Sequence, residues 1–200
     1  MRQVLPLLFS TLAIVALASC RAPQKPASET PETSLAGPVE TTARPWRDTL
    51  LKELPALGHR NWIVIADAAF PLQISPGMEI IVSGEDHFAV LDEVLKAVAA
   101  AKHLRPKVRL DKELDYVSEA MAPGMDVCRA RIKERLAGLE VQSVLHEELI
   151  SRLDQAAKTF KVVMIKTNLT LPYTTVFLEL DCGYWGADGE AAMRQAMKVK

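Results

Sequence analysis

Trp62-Ile63-Val64-Ile65-Ala66-Asp67-Ala68-Ala69-Phe70-Pro71 is the stretch that decides the fold. Its first five residues form a short, continuous apolar run, which suits a strand buried on both faces rather than one with a wet side. Polar residues stand at both ends, Gly58-His59 before the run and Asp67 after it. Upstream, Asp48 can cap a helix reaching Leu57, with Leu50, Leu51, Leu54 and Leu57 on one face and Gly58 to end it. Downstream, Glu79–Val82 reads as a second strand and His87–Ala101 as a helix with Phe88, Leu91, Val94, Leu95 and Val98 at helical spacing. A weaker strand signal covers Val108–Leu110. Asp126–Leu139 reads as a helix, Val141–Val144 as a strand and His146–Phe160 as the most strongly patterned helix. Strands at Val162–Ile165 and Thr175–Leu180 follow, then a closing helix over Gly189–Lys198. Alternation of this kind predicts an α/β single domain with a largely parallel sheet flanked by helices. Two Pro-Gly-Met turns, at Pro76–Met78 and Pro123–Met125, are the one internal echo.

Residues 1–19 carry one cation, Arg2, then an apolar run from Val4 to Ala18, too short for a comfortable membrane span. The exit Leu17-Ala18-Ser19-Cys20 is similar to a bacterial lipobox, which makes Cys20 the lipidated first residue of the mature chain. Acylation there implies a membrane-anchored lipoprotein of the bacterial cell envelope, held on the surface without spanning. Arg21 in place of an Asp tilts the anchor toward the outer membrane, on the periplasmic side. Residues 20–44 hold Pro23, Pro26, Pro31 and Pro38 among many Ser, Thr and Glu. That composition cannot offset its ordering entropy and predicts a flexible linker. Residues 45–200 are then long enough for one domain with a sizeable core.

The chain balances 24 Lys and Arg against 25 Asp and Glu. No cationic excess is present to neutralise phosphates, so nucleic acid is not an expected partner. Cys128 and Cys182 lack any Cys-x-x-Cys spacing and read as buried free thiols. There is no His-x-x-x-His pair, cysteine cluster or acidic calcium loop, so no metal is expected. Glycine-rich phosphate loops and a Gly-x-Ser-x-Gly elbow are also missing, which leaves acid-base chemistry without a cofactor.

Of the four histidines, His87 and His103 fall at the two ends of one expected helix and are assigned to the surface. His59 and His146 stand at strand–helix junctions, where α/β folds present side chains to ligands. The dipole at the start of a helix disfavours imidazolium at His146, which suits a neutral, hydrogen-bonding ring. Leu171-Pro172-Tyr173-Thr174-Thr175 puts hydroxyls ahead of a strand, either as turn chemistry or as a polar binding edge. Tyr184 and Trp185 could stack on a sugar face, but packing is the expected use of both.

Three blocks in order carry a resemblance. Gly58-His59 followed by Asp67-Ala68 and Pro71 resembles the start of the ribose pyranase and fucose mutarotase family. His146-Glu147 resembles a ligand-contacting His-Glu of the ribose branch, and Pro172-Tyr173-Thr174-Thr175-Val176 resembles the family's Pro-Tyr-Ala-Asn-Ile. The resemblance implies cofactor-independent interconversion of sugar anomers, or of pyranose and furanose forms, acting on a fucose- or ribose-like monosaccharide. It implies His59 as proton donor, with Asp67, His146, Tyr173, Thr174 and Thr175 holding the sugar. It further implies a homo-oligomer, pentamer or decamer. Thr175 departs from the pattern, because a hydroxyl cannot offer the separate donor and acceptor of the family's usual Asn. Eight extended residues also separate His59 from Asp67 by about 25 Å, too far for one pocket in one subunit. The expected site therefore lies at a subunit interface. A non-catalytic sugar-binding lipoprotein of the same fold is the alternative.

Overall fold

The computed structural model describes residues 44–198; the expected leader, Cys20 and most of the linker lie outside the described residues. Six strands form one sheet: β1 (Trp62–Ala66), β2 (Met78–Val82), β3 (Leu104–Asp111), β4 (Val141–Val144), β5 (Val162–Lys166) and β6 (Val176–Cys182). Their spatial order is β2-β5-β1-β6-β3-β4. Five strands run the same way and β6 runs against them, antiparallel to both β1 and β3. The physical cause is the short link from β5 to β6, residues 167–175, which is too short for the crossover that a parallel return needs.

All five residues of β1 are buried, as its unbroken apolar run requires. Side chains alternate across the strand, so Ile63 and Ile65 join one core and Trp62, Val64 and Ala66 join another. The first core packs α1 (Pro45–Glu53), α2 (His87–Ala100) and α3 (Met125–Arg135) against the sheet. The second is covered by α4 (His146–Ala157), through Leu149, Leu153 and Ala157. The chain closes with α5 (Ala187–Met197), which buries none of its side chains.

Both Pro-Gly-Met turns depend on their glycine. A Cβ on Gly77 would collide with the carbonyl oxygens of Ala157 and Phe160, against which the turn is pressed. Gly124 adopts φ 96°, a left-handed conformation that favours glycine, and so leads into α3.

Several expectations shift. The first helix starts at Pro45 rather than at an Asp48 cap, because proline suits the first helical position. β3 extends over eight residues despite Pro106, since its Leu104–Lys107 half pairs with β6 alone and leaves an open side. His87 is fully buried, not on the surface: as the first residue of α2 its ring turns inward to Thr167 beyond β5. His103 is half-buried. Trp185 and Tyr184, expected to pack, are 46% and 80% exposed. Cys128 and Cys182 are both unpaired, the first buried and the second half-buried.

Candidate functional site

The parallel strands bring their carboxyl ends to one edge, and five expected residues meet there. Asp67 leaves β1 almost buried, at 7% exposure. The Thr175 hydroxyl, from the segment entering β6, donates to Asp67 Oδ2 at 2.8 Å and accepts the Asp67 backbone N–H at 3.2 Å. The Ala69 N–H donates to Asp67 Oδ1 at 2.9 Å. Thr174 is equally buried and its hydroxyl donates to the Leu171 carbonyl. Both threonine hydroxyls are thus engaged within the chain, and Thr175 fixes the carboxylate of Asp67.

His146 opens α4 beside them. Its Nδ1 lies 3.0 Å from Asp111 Oδ1 at the end of β3, so Nδ1–H donates to the carboxylate and Nε2 is left as an acceptor. The ring meets Phe70 and Tyr173 edge-on, with centroids 6.0 and 5.2 Å away. Glu113 accepts the His146 backbone N–H and so caps the helix. Burial pushes the Asp111 carboxyl up to about 6, against the opposing pull of the His146 hydrogen bond. Its Oδ2 has no hydrogen-bond partner. Asp111 and Glu113 went unseen in the sequence: Asp111 closes β3 as Asp67 follows β1, but Arg105, Lys107 and Arg109 of β3 hide the apolar run that makes β1 conspicuous.

His59 lies at the opposite edge, before β1, with five strand residues, roughly 16 Å of chain, between the two ends. Its side chain is 59% exposed and its Nδ1 stands 3.0 Å from Asp181 Oδ1, at the end of β6. Asp181 also accepts from Arg105 at 2.6 Å, Lys107 at 2.9 Å and the Cys182 N–H at 2.8 Å. Burial works against its charge, but these donors outweigh it and hold the carboxyl well below the usual range. Asp181 therefore fixes the His59 tautomer with Nε2 free. A cleft of about 640 Å³ opens here, lined among others by His59, Arg105, Lys107, Tyr184 and Trp185.

Backbone strain marks both edges. Among the described residues only Arg60 and Tyr173, apart from glycines, have positive φ, at 74° and 58°. Each conformation costs on the order of 1–3 kcal/mol, and such residues cluster at working sites. One adjoins His59 and the other touches His146. No group of three or more His, Cys, Asp or Glu among the described residues could hold a metal ion.

A six-strand mixed sheet flanked by helices, with a histidine–carboxylate pair at each edge, defines a small α/β domain. Residues 47–182 match the sequence model of the RbsD / FucU transport protein family, and the chain belongs to that family. It is similar to the structure of Bacillus subtilis RbsD complexed with D-ribose, at 21% identity over 66% of this chain and 91% of that one, TM-score 0.48. FucU from Bifidobacterium longum is 20% identical over 67% and 94% of the two chains, TM-score 0.48. The fucose mutarotase of Streptococcus pneumoniae, in complex with L-fucose, is 22% identical over 66% and 91%, TM-score 0.47. No curated protein sequence matches the chain.

Proposed function

We propose that this protein interconverts the ring forms of a free monosaccharide, as a mutarotase or pyranase that needs no cofactor. The observation that carries the proposal is His59: exposed in a cleft, tautomer fixed by Asp181, Nε2 free, on a chain of this family. Opening a cyclic hemiacetal requires a proton on the ring oxygen and loss of one from the anomeric hydroxyl, and closure reverses both transfers. A single imidazole can serve as acid in one direction and base in the other. The Asp181 carboxylate faces the cation whenever the ring is protonated.

The proposal places sugar hydroxyls against Asp67, His146 and Tyr173, with Thr175 and Asp111 as positioning residues. These groups sit at the edge opposite His59, so a complete site needs two protomers, in a ring-shaped pentamer or decamer. Exposed Leu72, Ile74 and Leu145 support a covered surface near that edge, at 74%, 91% and 53% exposure. The proposal further puts the protein on a membrane surface of the bacterial envelope through a lipid anchor, a reading supported by the lipobox-like Leu17-Ala18-Ser19-Cys20.

Magnetisation transfer between sugar anomers tests the proposal. The protein should accelerate exchange of L-fucose or D-ribose; a sugar panel in which none exchanges faster with protein than without it rejects catalysis. One observation favours the alternative of sugar binding without turnover, namely that the Thr175 hydroxyl is spent on Asp67. That alternative predicts saturable binding in calorimetry with no accelerated exchange.

A further inference from the structure

The residues past 182 lie beyond the family match, yet they build one wall of the His59 cleft. Gly183 starts that wall. A Cβ there would stand 2.5 Å from the Lys102 carbonyl and 2.8 Å from that of Leu104, so only glycine lets the chain leave β6 pressed against the start of β3. The Gly183 N–H donates to the His103 carbonyl at 2.9 Å and directs Tyr184 and Trp185 over the cleft.

The Trp185 ring is then fixed from its far side. Its Nε1–H donates to Glu190 Oε2 at 2.8 Å, and a Cβ on Gly189 would sit in ordinary contact, 3.5 Å from the six-membered ring. Arg194 holds the other oxygen of Glu190 at 2.6 Å. An indole held in this way, with 46% of the residue still open to solvent, is a preorganised apolar platform. Since α5 buries no side chain, the segment adds nothing to either core that would offset its ordering entropy.

Charge decides the kind of ligand. Arg105 and Lys107 share Asp181, and Arg194 pairs with Glu190, so three cations stand against two carboxylates and each cation is already engaged in an ion pair. The one excess positive charge is spread over paired groups, a weak attraction for a phosphate that suits a neutral ligand better. Size points the same way as charge: about 640 Å³ falls in the range that holds drug-sized ligands, which leaves room beside a single sugar ring.

We propose that residues 184–194 form a second sugar subsite, with Trp185 as the stacking platform for a neutral ring attached to the sugar on which His59 acts. The ligand class is a reducing disaccharide or longer neutral oligosaccharide, its free anomeric carbon at His59. The subsite rests on the proposed ring interconversion at His59, and a binding readout separates the two.

The test uses the full chain, with lactose and L-fucose as probes. Anomer exchange should be accelerated for lactose, and Trp185→Ala should lower the ratio of lactose to fucose kcat/KM about tenfold, while Trp185→Phe keeps most of it. Trp46 and Trp62 are buried, so Trp185 dominates quenching by a solute, and lactose should protect it. If fucose exchanges but lactose does not, or if the ratio is unchanged in Trp185→Ala, the subsite is overturned and ring interconversion stands. If neither sugar exchanges but lactose still protects Trp185, the subsite stands and catalysis falls. If lactose neither exchanges nor protects, the subsite is overturned.

Discussion

At the carboxyl edge of the sheet Asp67, Asp111, Thr175 and His87 are all buried, whereas at the amino edge the His59 side chain is 59% exposed and its partner Asp181 keeps 13% of its side chain exposed. The buried edge uses most of its hydrogen-bonding capacity on itself, with Thr175 on Asp67, Asp111 on His146 and Thr167 on His87. The open edge spends one ring nitrogen of His59 and leaves the other free. Rigid polar networks orient ligands well but exchange protons poorly with solvent; an exposed imidazole does the reverse. Under the proposed function, the difference suits the buried edge to orientation and the open edge to proton transfer.

The sharpest way to break that comparison is to remove the proposed proton-transfer group. His59→Ala should slow anomer exchange by roughly 10²–10⁴-fold, the usual contribution of a general acid-base residue, while thermal stability stays close to wild type because the side chain is exposed. Wild-type exchange in the variant would end the assignment. If the two edges meet across an interface, inactive His59→Ala and Asp67→Ala chains should regain activity after dissociation and mixed reassembly. Mixed oligomers that remain inactive would return both edges to separate duties.

The next effect belongs to the buried edge and is read in stability. Thr167 spends its hydroxyl proton on the Ala66 carbonyl, so His87 Nδ1–H must donate to Thr167, and Nε2 is an unpaired acceptor in the core. Burial depresses its pKa from 6.5 to about 4, against the opposing pull of Asp67 and Asp86. Between those values the unfolded chain binds the extra proton and the folded chain does not. The contribution is therefore complete above pH 6.5 and lost as pH falls toward 4, by about 3 kcal/mol in all. Asp111 has the opposite sign: its raised pKa favours the folded state at low pH and loses that advantage as pH rises through about 6. Urea unfolding at pH 7 and pH 4 should show His87→Leu losing less stability on acidification than wild type, with Asp111 common to both proteins. Equal losses would mean that His87 is not neutral in the fold.

Apolar periodicity made the sheet legible, because β1 and the helices are held by area burial that a sequence states openly. Helix ends moved by the few residues that capping and Pro45 control, and β3 gained a half that pairs only with β6. The antiparallel course of β6 was hidden, since it follows from the length of a link and not from any strand pattern. Asp67, His146 and Tyr173, which only the family resemblance grouped, stand at one edge of the sheet, but their partners Asp111 and Glu113 come from a segment, residues 107–138, with weak pattern of its own. His87 was misplaced because a histidine at a helix start looks solvated until the neighbouring loop is known to close over it.

The smallest expected effect tests whether Thr175 acts on structure or on ligand. Thr175→Val keeps the shape and deletes the hydroxyl, so Asp67 N–H and Oδ2 both lose a buried partner, at a cost of about 1–3 kcal/mol. Chemical denaturation measures that cost directly. With its hydroxyl committed to Asp67, Thr175 can influence a sugar only by letting the carboxylate move, so any loss of exchange should appear together with the loss of stability. Exchange reduced at unchanged stability would instead mean that the hydroxyl leaves Asp67 to meet the ligand, and the buried edge would then be as adaptable as the open one.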